Sequence, residues 1–242
     1  MVLARHLYRR LMRKWRVIGL VALASVPGFV YWLAAFDADP DELAGLYSDI
    51  IAIAGYSFAI AALILTVATL REERDAGTLP YIYMRPMSRL SLAISSMLAA
   101  IAAVLTVALG GWLTTALATV ALGADISIAL PGLALFVAAG IGYAAVFVPL
   151  GYLVPRSLLV GLGYIIVVET ILASAVPGLA QFSIWRIALS IYADMASVFG
   201  DEAAEALGPV VAGVGGGVVK IAGTVLVGLA VLTWALSKRD AL

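Results

Sequence analysis

Two ionisable side chains stand alone inside long apolar runs of this 242-residue chain, Glu169 in Tyr-Ile-Ile-Val-Val-Glu-Thr-Ile-Leu and Lys220 in Gly-Val-Val-Lys-Ile-Ala-Gly. If those runs lie in hydrocarbon, each charge costs several kcal/mol unless it is hydrated or paired, which makes both candidates for a substrate path or gate. Glu169 lies about 12 residues into its run, close to mid-depth at 1.5 Å per residue. The Lys220 ammonium can snorkel to the outer surface or reach toward Glu169. Both carry a structural alternative: Glu169 capping or pairing with an outer loop, Lys220 simply reaching water. Other chemistry is sparse. The absence of cysteine removes disulfides, thiolate metal sites and a Cys nucleophile, and the single His6 leaves little for a histidine-built site. No Gly-x-x-x-x-Gly-Lys-Ser/Thr loop is present, so the usual cradle for ATP phosphates is missing. Glu169 with Lys220 is a poor beginning for a paired-acid, Ser-Lys or His-Glu constellation. The expectation is therefore no catalytic residue, metal or cofactor held by this chain.

The other dense group is Leu70 to Arg89. Glu72, Glu73, Arg74 and Asp75 precede Gly77, which can end a helix in the left-handed conformation, and Thr78, which can cap a new one. Pro80 is tolerated in a first turn, Pro86 disfavours helix at Arg85, and Ser88 can cap the third apolar run. The expected result is a helix of about seven residues, Leu79 to Arg85, flanked by charges that include Arg89. Tyr81, Ile82, Tyr83 and Met84 would then be exposed where water reaches, the composition of a docking knob for a partner protein. The plainer alternative is a charged turn whose tyrosines rest in the interfacial aromatic belt.

The elements that must hold these groups can be read from composition. With 64% hydrophobic and 12% charged residues and a mean hydropathy of +1.08, the chain has too much apolar surface to face water on all sides. Six runs approach the length of a membrane-crossing helix, at about 17–36, 50–70, 91–121, 131–152, 157–177 and 211–236. The first is too long for a secretory signal and lacks a small-residue cleavage site. The formal charge sums to zero, but the charges are segregated by position. Arg5, Arg9, Arg10, Arg13, Lys14 and Arg16 place residues 1–16 inside, and the acidic stretch Asp37 to Asp49 is external. Arg71, Arg74, Arg85 and Arg89 return the chain inside, Asp125 marks an outer turn, Arg156 an inner one, and Lys238 and Arg239 an inner C-terminus. Residues 178–210 are then external and net acidic. Short amphipathic helices are expected there after the Pro177-Gly178 break, carrying Ile184, Trp185, Leu189 and Tyr192. At the N-terminus, Leu3, Leu7, Tyr8, Leu11, Met12 and Trp15 form one apolar stripe, the pattern of a helix lying in the membrane surface.

Glu72-x-x-x-x-Gly77-Thr78 followed by Arg85-Pro86-x-Ser88-Arg89 resembles the cytoplasmic loop of ATP-binding-cassette (ABC) export permeases of the type-2 membrane family. Pro155-Arg156-Ser157, Gly161-Leu162-x-Tyr164, Glu169, Pro177-Gly178 and Ser183-Ile184 are similar to the fifth span and outer loop of the same family. Relatives often carry a Lys several residues into the third span, where Ser95 and Ser96 stand here. The resemblance covers essentially the whole chain and implies a single all-α transmembrane permease domain over 1–242. Its parts are six spans with cytoplasmic termini, an interfacial helix at 1–16, a coupling loop at 71–90, and outer re-entrant or interfacial helices within 178–210. It further implies a dimer, a homodimer by preference, in the cell membrane, with a separate nucleotide-binding ATPase that holds ATP and Mg. That subunit would dock on Glu72, Glu73, Arg74, Asp75, Gly77, Thr78, Tyr81, Tyr83, Arg85 and Arg89. A competing reading is an ion-coupled secondary carrier, for which Glu169 is the main support. The Ala-, Leu-, Val- and Gly-rich spans suit lipid-like, amphipathic or peptide cargo better than a bare ion.

Overall fold

In the computed structural model, residues 2–77, 88–172, 181–196 and 213–238 are described, and every regular element among them is helical. In chain order these are α1 (Val2–Leu11), α2 (Lys14–Ala24), α3 (Val26–Ala34), α4 (Leu43–Ala54), α5 (Tyr56–Asp75) and α6 (Arg89–Ala121). They continue with α7 (Leu130–Leu153), α8 (Ser157–Gly163) running on as a π-helix through Tyr164–Leu172, α9 (Ile184–Ala196) and α10 (Gly213–Lys238). Hydrocarbon leaves backbone N–H and C=O groups no water to bond, so helices are the economical way for this composition to cross.

Five helical rods are long and apolar enough to span a bilayer: Lys14–Ala34, Pro40–Asp75, Arg89–Ala121, Ile126–Leu153 and Gly213–Lys238. They coincide with five of the six expected runs. The run at 157–177 is represented by Ser157–Ile171, shorter than a crossing requires, with residues 173–180 outside the described part. The second rod also begins earlier than hydropathy indicated. Most of the acidic stretch expected to be a loop is helical, with a 3-10 turn at Pro40–Glu42 leading into α4, because hydropathy registers the acids and not their helical setting. Rods one and two each break once. Pro27, in the first turn of α3, has no N–H to continue the ladder of α2, and Gly55 separates α4 from α5.

The helix α7 is the hub, packed against α5, α6, α9 and α10, with Phe136, Tyr143 and Phe147 fully buried along it. Lipid provides no hydrophobic drive for one apolar helix to meet another, so close backbone approach must supply the attraction. Glycines supply it at two crossings. A Cβ on Gly151 of α7 would meet the Val67 carbonyl oxygen of α5 at 2.5 Å, and one on Gly228 of α10 would collide with the Ala145 carbonyl of α7.

Two helices occupy places other than those read from their amphipathicity. The apolar stripe of α1 turns inward: Leu3, Leu7 and Leu11 are buried against α6 and its neighbours, and the Tyr8 hydroxyl meets Thr106 Oγ1 at 3.2 Å. Only Trp15 keeps the exposed position that an interfacial ring takes, at 86% accessibility. The helix α9 packs between α7 and α10, with Ile184, Trp185, Ala188, Ile191 and Tyr192 buried against protein. In both cases a moment indicates that a face must be covered, not whether lipid or protein covers it.

Replacing Gly151 by Val should therefore cost about 1–3 kcal/mol of stability, because the clash is with backbone and no rotamer relieves it. Gly223→Ala in α10, where a Cβ meets nothing within 4 Å, should be neutral or slightly stabilising, and thermal unfolding in detergent distinguishes the two.

Candidate functional site

Glu169 sits in the π-helical segment with none of its surface exposed. Its Oε2 accepts a hydrogen bond from the Tyr143 hydroxyl at 2.5 Å, and its Oε1 accepts from the Ile184 backbone N–H at 3.0 Å. Ile184 is the first residue of α9, so the carboxylate occupies a helix N-terminus, where unpaired N–H groups and the positive end of the macrodipole favour an anion. The adjoining cap is conventional: Ser183 Oγ accepts from the Arg186 N–H at 3.2 Å. The wide π turn is tied down too, since the Tyr56 hydroxyl donates to the Glu169 carbonyl at 3.2 Å. Tyr56 opens α5, and its ring lies 5.7 Å from that of Trp185, whose Nε1 donates to the Ala52 carbonyl at 3.2 Å. The Trp185 ring fills the space that a side chain on Gly55 would need. Glu169 thus joins the π-helical segment, α7 and α9, and the rod α4–α5 closes around the same point.

The rest of α9 is fixed by polar contacts at its far end. The Tyr192 hydroxyl and Ser48 Oγ are 2.8 Å apart, linking α9 to α4. Asp194 Oδ2 accepts from the Val214 N–H at 2.7 Å, where Gly213 turns the chain into α10 with φ +59°. Tyr143, Ser48 and Asp194 were not singled out from the sequence as site residues, and Ser183 entered only through the Ser183-Ile184 pair of the family resemblance. Ser183 alone carried a local signal, as a capping residue directly before an amphipathic run, whereas the Tyr143 and Ser48 partnerships join segments far apart in the chain.

Lys220 is half-buried on α10 and forms no ion pair with Glu169 among the described residues. The donors around Glu169 come from the Tyr143 and Tyr164 hydroxyls and the helix end, so the two membrane charges are not partners.

The second group of expected site residues gathers at the opposite end of α5. Glu73 is turned into the protein, 2% exposed, with Arg10 Nη1 at 2.6 Å and His6 Nε2 at 3.8 Å. Glu72 pairs with Arg16 and lies 3.7 Å from Arg10 Nε, and its carbonyl accepts from Arg10 Nη2 at 3.2 Å. Arg74 Nη1 donates to the Tyr152 carbonyl at the end of α7 at 3.0 Å. Arg71 Nη1 donates to Ser157 Oγ at 3.2 Å, and its Nε lies 3.4 Å from Asp75. Gly77 ends α5 with φ +66°, and Ser88 Oγ accepts from the Ser91 N–H to cap α6, which Arg89 begins. Residues 78–87, including Thr78, Tyr81, Tyr83, Arg85 and the expected Leu79–Arg85 helix, lie outside the described residues. The acids of this group clamp α1, α2 and α5 together. Glu73 in particular has its charge committed inside the fold, because a carboxylate so enclosed requires a cation beside it.

A model of the family described as ABC-2 family transporter protein matches residues 9–173, more than half of the chain. That span takes in the Arg10–Glu73 clamp, the hub helix and Glu169. No curated protein matches the chain in sequence.

Four variants separate the roles of these carboxylates. Glu169→Ala strands the Tyr143 hydroxyl and the Ile184 N–H and should cost about 2–4 kcal/mol, while Glu169→Gln, which keeps an acceptor, should cost about half as much. Glu73→Ala leaves Arg10 without its buried partner and should lose about 2 kcal/mol, most of it recovered in an Arg10→Met, Glu73→Leu double variant. Denaturation of the purified protein in detergent measures all four.

Proposed function

This chain belongs to the ABC-2 transporter family, and we propose that it is the membrane-spanning subunit of an ATP-driven exporter. In this reading it works in the cell membrane as a dimer, preferably of identical chains, each receiving a separate nucleotide-binding subunit on the segment 71–90. The multi-pass membrane character rests on five crossing-length apolar rods together with the family match. ATP and Mg belong to the partner, in keeping with the missing phosphate-binding loop.

The observation that carries the reading is the span of α5. Its last turns, Arg71 to Asp75, hold α1, α2 and the end of α7, and its first residue, Tyr56, touches the Glu169 joint. Twenty residues at 1.5 Å each make a rod of about 30 Å between the two loci. A push delivered to residues 78–87 by closure of the ATPase enters this rod directly. Because Arg10, Arg16 and Arg74 bind its inner end to neighbouring helices, that end moves as a unit instead of fraying. At its outer end the displacement meets Glu169, Trp185 and the N-terminus of α9, the element whose position would open or close the outer side. Glu169 acts here as a hinge pin, not as a group that meets cargo.

The test is co-expression with the cognate ATPase. Affinity purification should recover both chains, and transport into vesicles should require ATP. Tyr81→Asp and Arg85→Glu should each weaken ATPase association about tenfold or more while helical content is kept. Full transport by the lone chain, without nucleotide, would overturn the proposal.

A further inference from the structure

A cleft of about 210 Å³ opens on the flank of the inner end, between α2, α5 and α8. Its wall runs along one face of α5. Ile64 and Val67 are followed, a turn further in, by Arg71 and Glu72, and then by Asp75. Residues spaced by three and four share a helix face, so this one stripe passes from hydrocarbon-compatible to charged over about 16 Å. Leu158 of α8 completes the apolar part and Arg16 of α2 the charged part. Ile64 and Leu158 are 39% and 42% exposed, open toward the region that lipid fills. The gradient reproduces the depth profile of a phospholipid, acyl chain below and headgroup above.

The charges specify the headgroup. Two guanidiniums and two carboxylates line the cleft, so its formal charge is zero. A purely anionic headgroup would meet Glu72 and Asp75 as well as the arginines, and a quaternary ammonium offers no N–H to a carboxylate. A phosphate with a primary ammonium satisfies both halves. Donors and acceptors remain for it. Arg71 uses Nη1 on Ser157 and Nε on Asp75, and Asp75 is 58% exposed. Arg16 pairs through Nη2 with Glu72 and its Nη1 is enclosed, so the donor that faces the cleft is the remaining nitrogen of Arg71. We infer that this cleft is a binding site for a zwitterionic membrane phospholipid with a primary-ammonium headgroup, the phosphate on Arg71 and the ammonium on Asp75. The lipid would seat against the clamp that fixes the inner end of α5, outside the Glu169 joint. The inference requires only that the chain is a membrane protein, so it stands or falls separately from the ATPase reading.

The full chain, reconstituted in nanodiscs of equimolar phosphatidylethanolamine, phosphatidylcholine and phosphatidylglycerol and re-extracted in mild detergent, reports the site by the lipids that native mass spectrometry finds retained. Phosphatidylethanolamine should exceed each of the others about fivefold, the ratio that one partly exposed ion pair supplies. Asp75→Asn should remove the preference for ethanolamine over choline and raise phosphatidylglycerol. Arg71→Gln should lower retention of all three, and circular dichroism should show both variants as helical as the parent. Equal retention of the three lipids, or an ethanolamine preference unchanged in Asp75→Asn, overturns the inference.

Discussion

A carboxylate enclosed among apolar helices has no water to solvate it, and the protein must bring donors to it from wherever the chain can provide them. At Glu169 they come from a phenol on α7 and from the first amide of α9, and the position of α9 depends on that arrangement. A 13-residue helix is too short to cross a bilayer and is held only by its neighbours. Its N-terminus is defined by Glu169 and Ser183, its flank by Trp185 in the gap left by Gly55, and its end by Tyr192 and Asp194. Withdrawing the carboxylate would leave a buried helix end with orphaned N–H groups, the costliest kind of loose end in a lipid-facing fold.

At the C-terminal end of α5 the same requirement gives a different result. Here both signs of charge are abundant, and burial of Glu73 is balanced by Arg10, with Glu72 shared between Arg10 and Arg16. Two of the six bases of the first sixteen residues, Arg10 and Arg16, thereby fasten α1 and α2 to the second rod. The Tyr8 to Thr106 contact and the buried leucines complete that attachment to α6.

Much of this was legible in the sequence because the governing signals are local. Five apolar runs match five crossing-length rods, Gly77 ends α5 in the left-handed conformation, and Ser88 caps α6, each read from a residue and its immediate neighbours. Glu169 stood out because a lone acid in an apolar run has to be explained. What stayed hidden was the identity of the partner across the fold. The moment of α1 is the same whether lipid or α6 receives Leu3, Leu7 and Leu11, and the acids at 72 and 73 look as available for a docking protein as for Arg10 and Arg16. Pairings such as Tyr143 with Glu169, Ser48 with Tyr192, or Glu73 with Arg10 are set by which helices adjoin, which no spacing within one segment encodes. The extent of the second rod was missed for a related reason: hydropathy marks where lipid begins, and a helix can extend beyond it.

The attachments of α9 also set an order of events during synthesis. Ser48 and Tyr143 are made before it, Glu169 just before it, and Val214 after it. A segment this short cannot lodge in the bilayer as an independent span, and its packing surface on α10 does not exist until α10 has emerged. Its seat is therefore completed only when α10 arrives, and before that the side of α9 that meets α10 stands uncovered.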